Sequence, residues 1–477
     1  MFHRCWRFNV KHRACLVLAI VALALGATSA QFGTPPQFTA LGTDLSRFEV
    51  EPSLFLSGGP PPDGIPALDA QNLHFVSSEE ATFLADLEPV ILFTLNGDAR
   101  AYPLQIMTWH EIANDVVGGV PVAVTFCPLC NTAIAYSRRI AVDDQRRAAL
   151  SEVVATARER LAALEAVLPE ERPSRQLVND AAAALVRLGF VPEAIDARSA
   201  VLQAFPSGTP EARTQALAQA RTALDHASQV LSQTSEILTT FGTSGTLLFS
   251  DLVMYDRATR SLWPQIDGRA VVGTLTGAQL EEFPAQIISF ADFQAAFPAG
   301  QVLSTNTGIS RPYGQNPYVG YDRIDNPPFL FDGVVDGRLA PKERVVAVEI
   351  GDQAIAYPFN LVSERGVIND VFNNQPLVIF FVSGTTSALD ARSIAGSRDV
   401  GATGVFDPTV AGQPLIFTKN DQGQIVDQQT GSVWSITGQA LSGPLAGQAL
   451  TPIMHTNIFW FAWAAFRPET VIFGVEG

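Results

Sequence analysis

The chain contains one unit twice, and this constrains its fold more than any other feature. Ala99 to Pro121 aligns without a gap on Ala354 to Pro376, with eight identities in 23 positions; unrelated sequences would share roughly one or two. A second block agrees. Gly268 to Leu280 matches Gly438 to Leu450 at six of 13 positions, each preceded by a tryptophan, Trp263 and Trp434. The endings correspond as well, Ala295-Ala296-Phe297 against Ala464-Ala465-Phe466. Within each copy, short apolar runs such as Val90 to Leu95 and Val120 to Phe126 are bounded by Asn96-Gly97-Asp98 and Gly118-Gly119, which is strand and turn chemistry. Pro103 to Glu111 reads as one brief helix. The expected fold is α+β: two diverged β-rich repeats packed together with pseudo-twofold symmetry.

The copies differ by an insertion in the first, from about Val142 to Thr240, whose composition shifts to Ala, Leu, Glu, Gln and Arg. Leu150, Val154, Ala157, Leu161, Leu164 and Leu168 recur at alternating steps of four and three, and Leu217, Leu224, Leu231 and Leu238 recur every seven residues, so helices are expected. Thr209-Pro210-Glu211 supplies a start signal and Gly242 a stop. The domain reading is therefore a leader over 1–30, an extended Pro/Gly-rich arm over 31–84, and a first repeat over 85–141 and 241–300. The all-helical insertion over 142–240 interrupts that repeat; a linker over 301–344 and a second repeat over 345–477 follow. The insertion is a self-contained helical hairpin or bundle, or else a surface for a protein partner or a lid, since it starts about ten residues after Cys130.

The leader carries Arg4, Arg7, Lys11 and Arg13, then an uncharged stretch from Cys15 to Leu25, then small residues ending at Ala30. This is the pattern of a cleaved export signal, so the expected location is periplasmic or secreted. Ile458 to Phe466, nine residues, is the strongest later apolar run, so no stable membrane span is expected after cleavage. Cleavage leaves 27 Lys+Arg against 47 Asp+Glu, a net charge of −20, which excludes nucleic acid as a natural partner. It also leaves Cys127 and Cys130 as the two cysteines of the mature chain.

Those two cysteines and His110 distinguish the copies. The second copy keeps Asn369-Asp370 opposite Asn114-Asp115 but has Arg365, Val382 and Thr385 opposite His110, Cys127 and Cys130. The fold thus tolerates loss of all three, whereas Asn114-Asp115 and Tyr102-Pro103 read as structural, the Asn-Asp pair bonding its own backbone. Asn131 to Tyr136 alternates like a strand, so the Cys-x-x-Cys is expected in a knuckle between strands and not at a helix N-terminus. One reading is a zinc or copper site of Cys127, Cys130 and His110, with His74 or His455 as further ligands. A second is thiol–disulfide exchange or thiol catalysis by Cys127 and Cys130 with a redox partner. A structural disulfide is the third. His110-Glu111 is not a zinc-protease motif, because no second histidine follows at helical spacing. The aromatic run from Phe459 to Trp463 reads as core.

The strings Trp109-His110-Glu111 and Cys127-Pro128-Leu129-Cys130-Asn131, with Asp251 to Gly273, resemble the bacterial and archaeal family known as domain of unknown function 3179. The second copy, through Thr430 to Gly447 and Phe459 to Pro468, resembles the C-terminal part of the same family. The resemblance stops at the helical insertion. It implies exported membership and draws attention to His110, Cys127 and Cys130, with no activity attached.

Overall fold

Each repeat is built from three small sheets whose strands recur in the same order. The computed structural model describes residues 34–167 and 173–475; the leader and Leu168 lie outside them. In the first repeat one sheet runs Ala285–Ser289, Pro89–Leu95, Asp98–Pro103, Gln301–Leu303 and Phe75–Ser77. Its counterpart runs His455–Phe459, Arg344–Ile350, Gln353–Pro358 and Val471–Ile472. Both are antiparallel except at one place, where the short strand after the repeat's last helix joins in parallel. The first five residues of Pro89–Leu95 are an unbroken apolar run and all buried, and the exposed Thr94 follows them. Asn96 and Gly97 then turn the chain at φ 50° and 82°, a left-handed pair suited to a two-residue hairpin.

The second sheets are Glu282–Phe283, Thr132–Ser137, Val120–Cys127, Ile112–Val117 and, equivalently, Thr451–Pro452, Ala402–Asp407, Gln375–Val382, Val367–Phe372. The third contain Phe241–Leu248, Asp251–Asp256 and Leu262–Pro264 against Phe417–Lys419, Ile425–Asp427 and Val433–Trp434. A short helix, Leu104–His110 or Phe359–Arg365, joins the first sheet to the second in each copy. The repeats pack reciprocally: Ala285–Ser289 lies against Ala402–Asp407, and His455–Phe459 lies against Thr132–Ser137. That exchange of equivalent contacts is pseudo-twofold packing. Gln286 Nε2 donates across the joint to the Thr403 carbonyl at 2.8 Å, and the Thr132 and Thr456 hydroxyls meet at 2.5 Å.

The residues common to both copies hold the frame. Tyr102 Oη donates to Asp115 Oδ2 at 2.6 Å and Tyr357 Oη to Asp370 Oδ2 at 2.8 Å. Asn114 bonds both the N–H and the C=O of Phe241, each at 2.8 Å, and Asn369 does the same for Phe417, each at 2.9 Å. Trp263 and Trp434 donate from Nε1 to Asp256 and Asp427 at 2.9 and 3.0 Å. The Asn-Asp pair was expected to bond its own backbone. Only Val116 N to Asp115 Oδ1, and Val371 N to Asp370 Oδ1, fit that description, while the other bonds reach distant strands. The Phe459–Trp463 aromatics are core, none more than 3% exposed.

The insertion forms four helices, Asp144–Glu165, Arg175–Val186, Pro192–Ser207 and Pro210–Gln233. Asp143, Ser174 and Thr209 cap the first, second and fourth through their side chains, and Pro192 and Pro210 occupy first-turn positions. Helix ends before the expected stop: Gly242 lies in a strand opposite Tyr255, where a Cβ would stand 2.5 Å from the ring. Leu238, the last of the heptad leucines, is in a strand and 54% exposed. A two-strand clasp, Arg139–Ala141 with Glu236–Leu238, closes the insertion's base. The N-terminal arm is packed rather than extended, since its apolar residues find a core: Phe38 and Phe55 meet edge to face at 5.2 Å, both buried. Gln301–Leu303, read as linker, belongs to the first repeat's sheet. Among the described residues no helix is long and apolar enough to cross a membrane.

Candidate metal centre

Cys127 ends the strand Val120–Cys127 and pairs in register with Thr132, the first residue of the returning strand. Cys130 sits in the turn between them, closed by Asn131 N to Pro128 O at 3.3 Å with Asn131 at φ 56°. The motif is therefore a strand–turn–strand knuckle. Both cysteines are free thiols, 1% and 0% exposed.

The third member comes from the hairpin of the neighbouring sheet. Asp251 opens the strand Asp251–Asp256 after a left-handed pair, Phe249 and Ser250, at φ 52° and 69°. Cys127 Sγ, Cys130 Sγ and an Asp251 oxygen all lie within 4.8 Å of one another, and all three residues are buried. Cys130 Sγ is 3.8 Å from Asp251 Oδ1, and both thiols face the Ser250 carbonyl, at 3.8 and 3.6 Å. Ile266 N donates to the other Asp251 oxygen at 3.1 Å, fixing the carboxylate's orientation. Burial pushes both the Cys130 thiol and the Asp251 carboxyl well above their ordinary ranges.

His110 was expected as the third ligand, and the structure places it elsewhere. Nδ1 lies 2.7 Å from the Pro66 carbonyl, so it carries the proton, and Nε2 accepts from Tyr313 Oη at 2.6 Å. Burial, with Arg311 nearby, lowers its pKa to about 4, so the ring is neutral. Both nitrogens are committed and His110 is outside the cysteine group. His455, in the strand His455–Phe459, bonds the Ile453 carbonyl through Nδ1 at 2.8 Å. His74 is exposed, with its backbone carbonyl accepting from the Ser304 N–H. Neither joins the group.

His110 instead fastens a cover. Residues 304–343, which connect the repeats, are tied to the short helix by His110 to Tyr313 and by Trp109 Nε1 to the Gln315 carbonyl at 3.1 Å. The same segment carries Tyr318 and Tyr321. Burial raises both phenols, and the cysteines add to this: Cys127 acts on Tyr318, and both thiols act on Tyr321. The second copy has Glu364 and Arg365 opposite Trp109 and His110, and no cysteine to cover.

Sequence reasoning missed Asp251 and Glu111. Asp251 stands opposite Gln422 when the copies are aligned through Trp263 and Trp434, the same kind of loss that singled out the cysteines. The hairpin carrying it is also five residues longer than its counterpart, measured from Phe241 to Asp256 against Phe417 to Asp427. Glu111 is 7% exposed at φ 59°, and its carboxylate makes no hydrogen bond among the described residues. Burial lifts its pKa to about 8. The second copy places Gly366 at this turn, at φ 68°, where no side chain is strained.

No curated protein and no solved structure matches the chain. A family described as protein of unknown function, DUF3179, matches residues 62–152 and 220–470. The two matched stretches hold both repeats with the cysteine knuckle and the Asp251 hairpin, and the gap between them falls inside the helical insertion, so the chain belongs to the DUF3179 family.

Proposed function

We propose that the protein binds a transition metal, zinc in preference to copper, through Cys127, Cys130 and Asp251. The observation that carries this is the convergence of two thiols and a carboxylate, all buried, within 4.8 Å of one another. Zinc takes sulfur at about 2.3 Å and carboxylate oxygen at about 2.1 Å, so ligand atoms around one ion stand roughly 3.5–3.8 Å apart. The 3.8 Å between Cys130 Sγ and Asp251 Oδ1 fits that spacing. A hard oxygen donor beside two thiolates suits zinc better than the all-soft set favoured by cuprous copper. Three protein ligands leave a fourth position open.

Thiol–disulfide exchange is less well supported. Its thiolate is normally stabilised at a helix N-terminus, whereas this knuckle joins two strands and burial raises the Cys130 pKa. Export remains part of the proposal, on the basic and apolar leader, and N-terminal sequencing of the cell-produced protein should begin at Gln31.

Metal content and free thiols, measured together on protein purified without chelator, test the reading. One equivalent of zinc with both thiols protected until the metal is removed is expected. A protein that retains no metal and takes up none on titration overturns it, as does a Cys127–Cys130 disulfide that reduces readily in the folded state.

A further inference from the structure

We infer that the helical insertion creates a binding site for a small organic oxyanion carried on a short aliphatic chain, at a place separate from the cysteine group. A cavity of about 360 Å³ opens between the helix Pro36–Leu41, the insertion helices Arg175–Val186 and Pro192–Ser207, and the strand Asp251–Asp256. That is the size of a small-ligand pocket. Its charged lining consists of Arg198 and Arg260, with no carboxylate, in a chain whose net charge is −16.

Neither guanidinium has a hydrogen bond or ion pair among the described residues. Arg198 makes no side-chain hydrogen bond or ion pair among the described residues. Arg260 Nε is buried without a hydrogen-bond partner, and the guanidinium carbon stands 5.4 Å from the Tyr255 ring centroid. A buried guanidinium nitrogen left unpaired is unfavourable unless something else bonds it.

The internal repeat supplies an independent observation. Arg260 occupies a turn at φ 63°, its N–H bonded to Asp256 O and its carbonyl accepting from Thr43 Oγ1 at 2.8 Å. The equivalent turn in the second copy has Gly431 at φ 71°, the residue such a backbone favours. The first copy therefore holds an arginine in a conformation that disfavours it, and does so where the insertion walls off a cavity. The second copy has no insertion and no arginine there.

The rest of the wall defines the ligand. Leu41, Val186 and Leu202 present aliphatic surface beside the two guanidiniums. Guanidiniums recognise carboxylate and phosphate oxygens through paired N–H donors, and the aliphatic side accepts a short hydrocarbon chain. Carboxylates and phosphate monoesters share this chemistry, and the test separates them.

Isothermal titration of the full-length protein with hexanoate and with monohexyl phosphate decides the matter, using wild type, Arg198→Gln and Arg260→Gly. At least one probe should bind wild type, about tenfold or more weakly to each variant; the probe that binds identifies the head group. Arg260→Gly relaxes a strained turn, which offsets the lost contact with the Tyr255 ring, and Arg198 makes no side-chain hydrogen bond or ion pair among the described residues, so both variants should stay within a few degrees of the wild-type melting temperature. Absence of binding by either probe at millimolar concentration overturns the inference, as does binding that both variants retain. If Arg260→Gly fails to fold, Arg198→Gln alone separates the same two outcomes.

Discussion

Cys130 Sγ and Asp251 Oδ1 lie 3.8 Å apart although 121 positions separate them, with the whole helical insertion between. The contact depends on the long hairpin of the first repeat, whose left-handed Phe249-Ser250 turn delivers Asp251 to the knuckle. Asp251→Asn keeps the shape and removes the charge that a metal needs. Zinc affinity, measured by competition with a chromophoric chelator, should fall by at least about tenfold, the lower end of what even indirect partners of a metal contribute. Unchanged affinity would leave Asp251 as a structural acid and the site as two thiols alone.

Asn114 and Asn369 do the same job in different surroundings. Each replaces a strand neighbour by bonding both backbone groups of a phenylalanine, but Asn114 is 2% exposed while Asn369 is exposed to water. Truncating Asn114 to Ala leaves a buried N–H and C=O unpaired, at about 1–3 kcal/mol each, so a loss of roughly 2–6 kcal/mol is expected. Asn369→Ala should cost about 1 kcal/mol or less, because solvent can take over. Urea midpoints of the two variants check the ordering; equal losses would refute the burial argument.

Glu111 gives a pH signature. Its folded pKa of about 8 lies above the unfolded value near ~4.3, so between those limits the native state binds the extra proton. Stability therefore falls as pH rises through that window and levels off above about 8. The slope is at most about 1.4 kcal/mol per pH unit. Glu111→Gln removes this titration, so in chelator the variant should gain on wild type by a few kcal/mol between pH 5 and pH 8. A difference that does not vary with pH would mean the carboxylate has found a partner.

The repeat makes much of this legible in the sequence. Identities such as Tyr102/Tyr357 and Asn114/Asn369 are frame residues, because the hydrogen bonds they make are the same in both copies. Positions where the copies differ, Cys127, Cys130 and His110, cluster around one region. What the alignment could not give is direction. His110 and the cysteines are neighbours in the linear pattern, yet the imidazole points to Pro66 and Tyr313, because the left-handed residue after it turns the chain. Asp251 was hidden by distance, since a ligand delivered by a hairpin on the far side of a four-helix insertion leaves no local spacing to read. The stop assigned to Gly242 failed for a related reason. A glycine beside a helical pattern signals a cap, but this one makes room for the Tyr255 ring in a sheet.

The insertion's closed base makes the division of labour testable. Ala141 pairs with Glu236, and Val142 N donates to Ser235 O at 2.8 Å, so the two ends of the helical segment already stand at hairpin distance. Replacing residues 143–234 by Asn-Gly leaves a two-residue turn of the kind that closes antiparallel strands. The four helices pack mainly on one another, and their leucine stripe leaves with them. The remaining cost is the uncovering of residues such as Leu41, 5% exposed, at about 1.5–3 kcal/mol for a large apolar side chain. The shortened protein should thus fold with a lower melting temperature, lose most of its helical circular dichroism and bind zinc with unchanged stoichiometry. It should also lose hexanoate or hexyl phosphate binding, because Arg198, Val186 and Leu202 are gone. Loss of zinc with the helices would show instead that the insertion supports the cysteine site, and the two functions would not be separable.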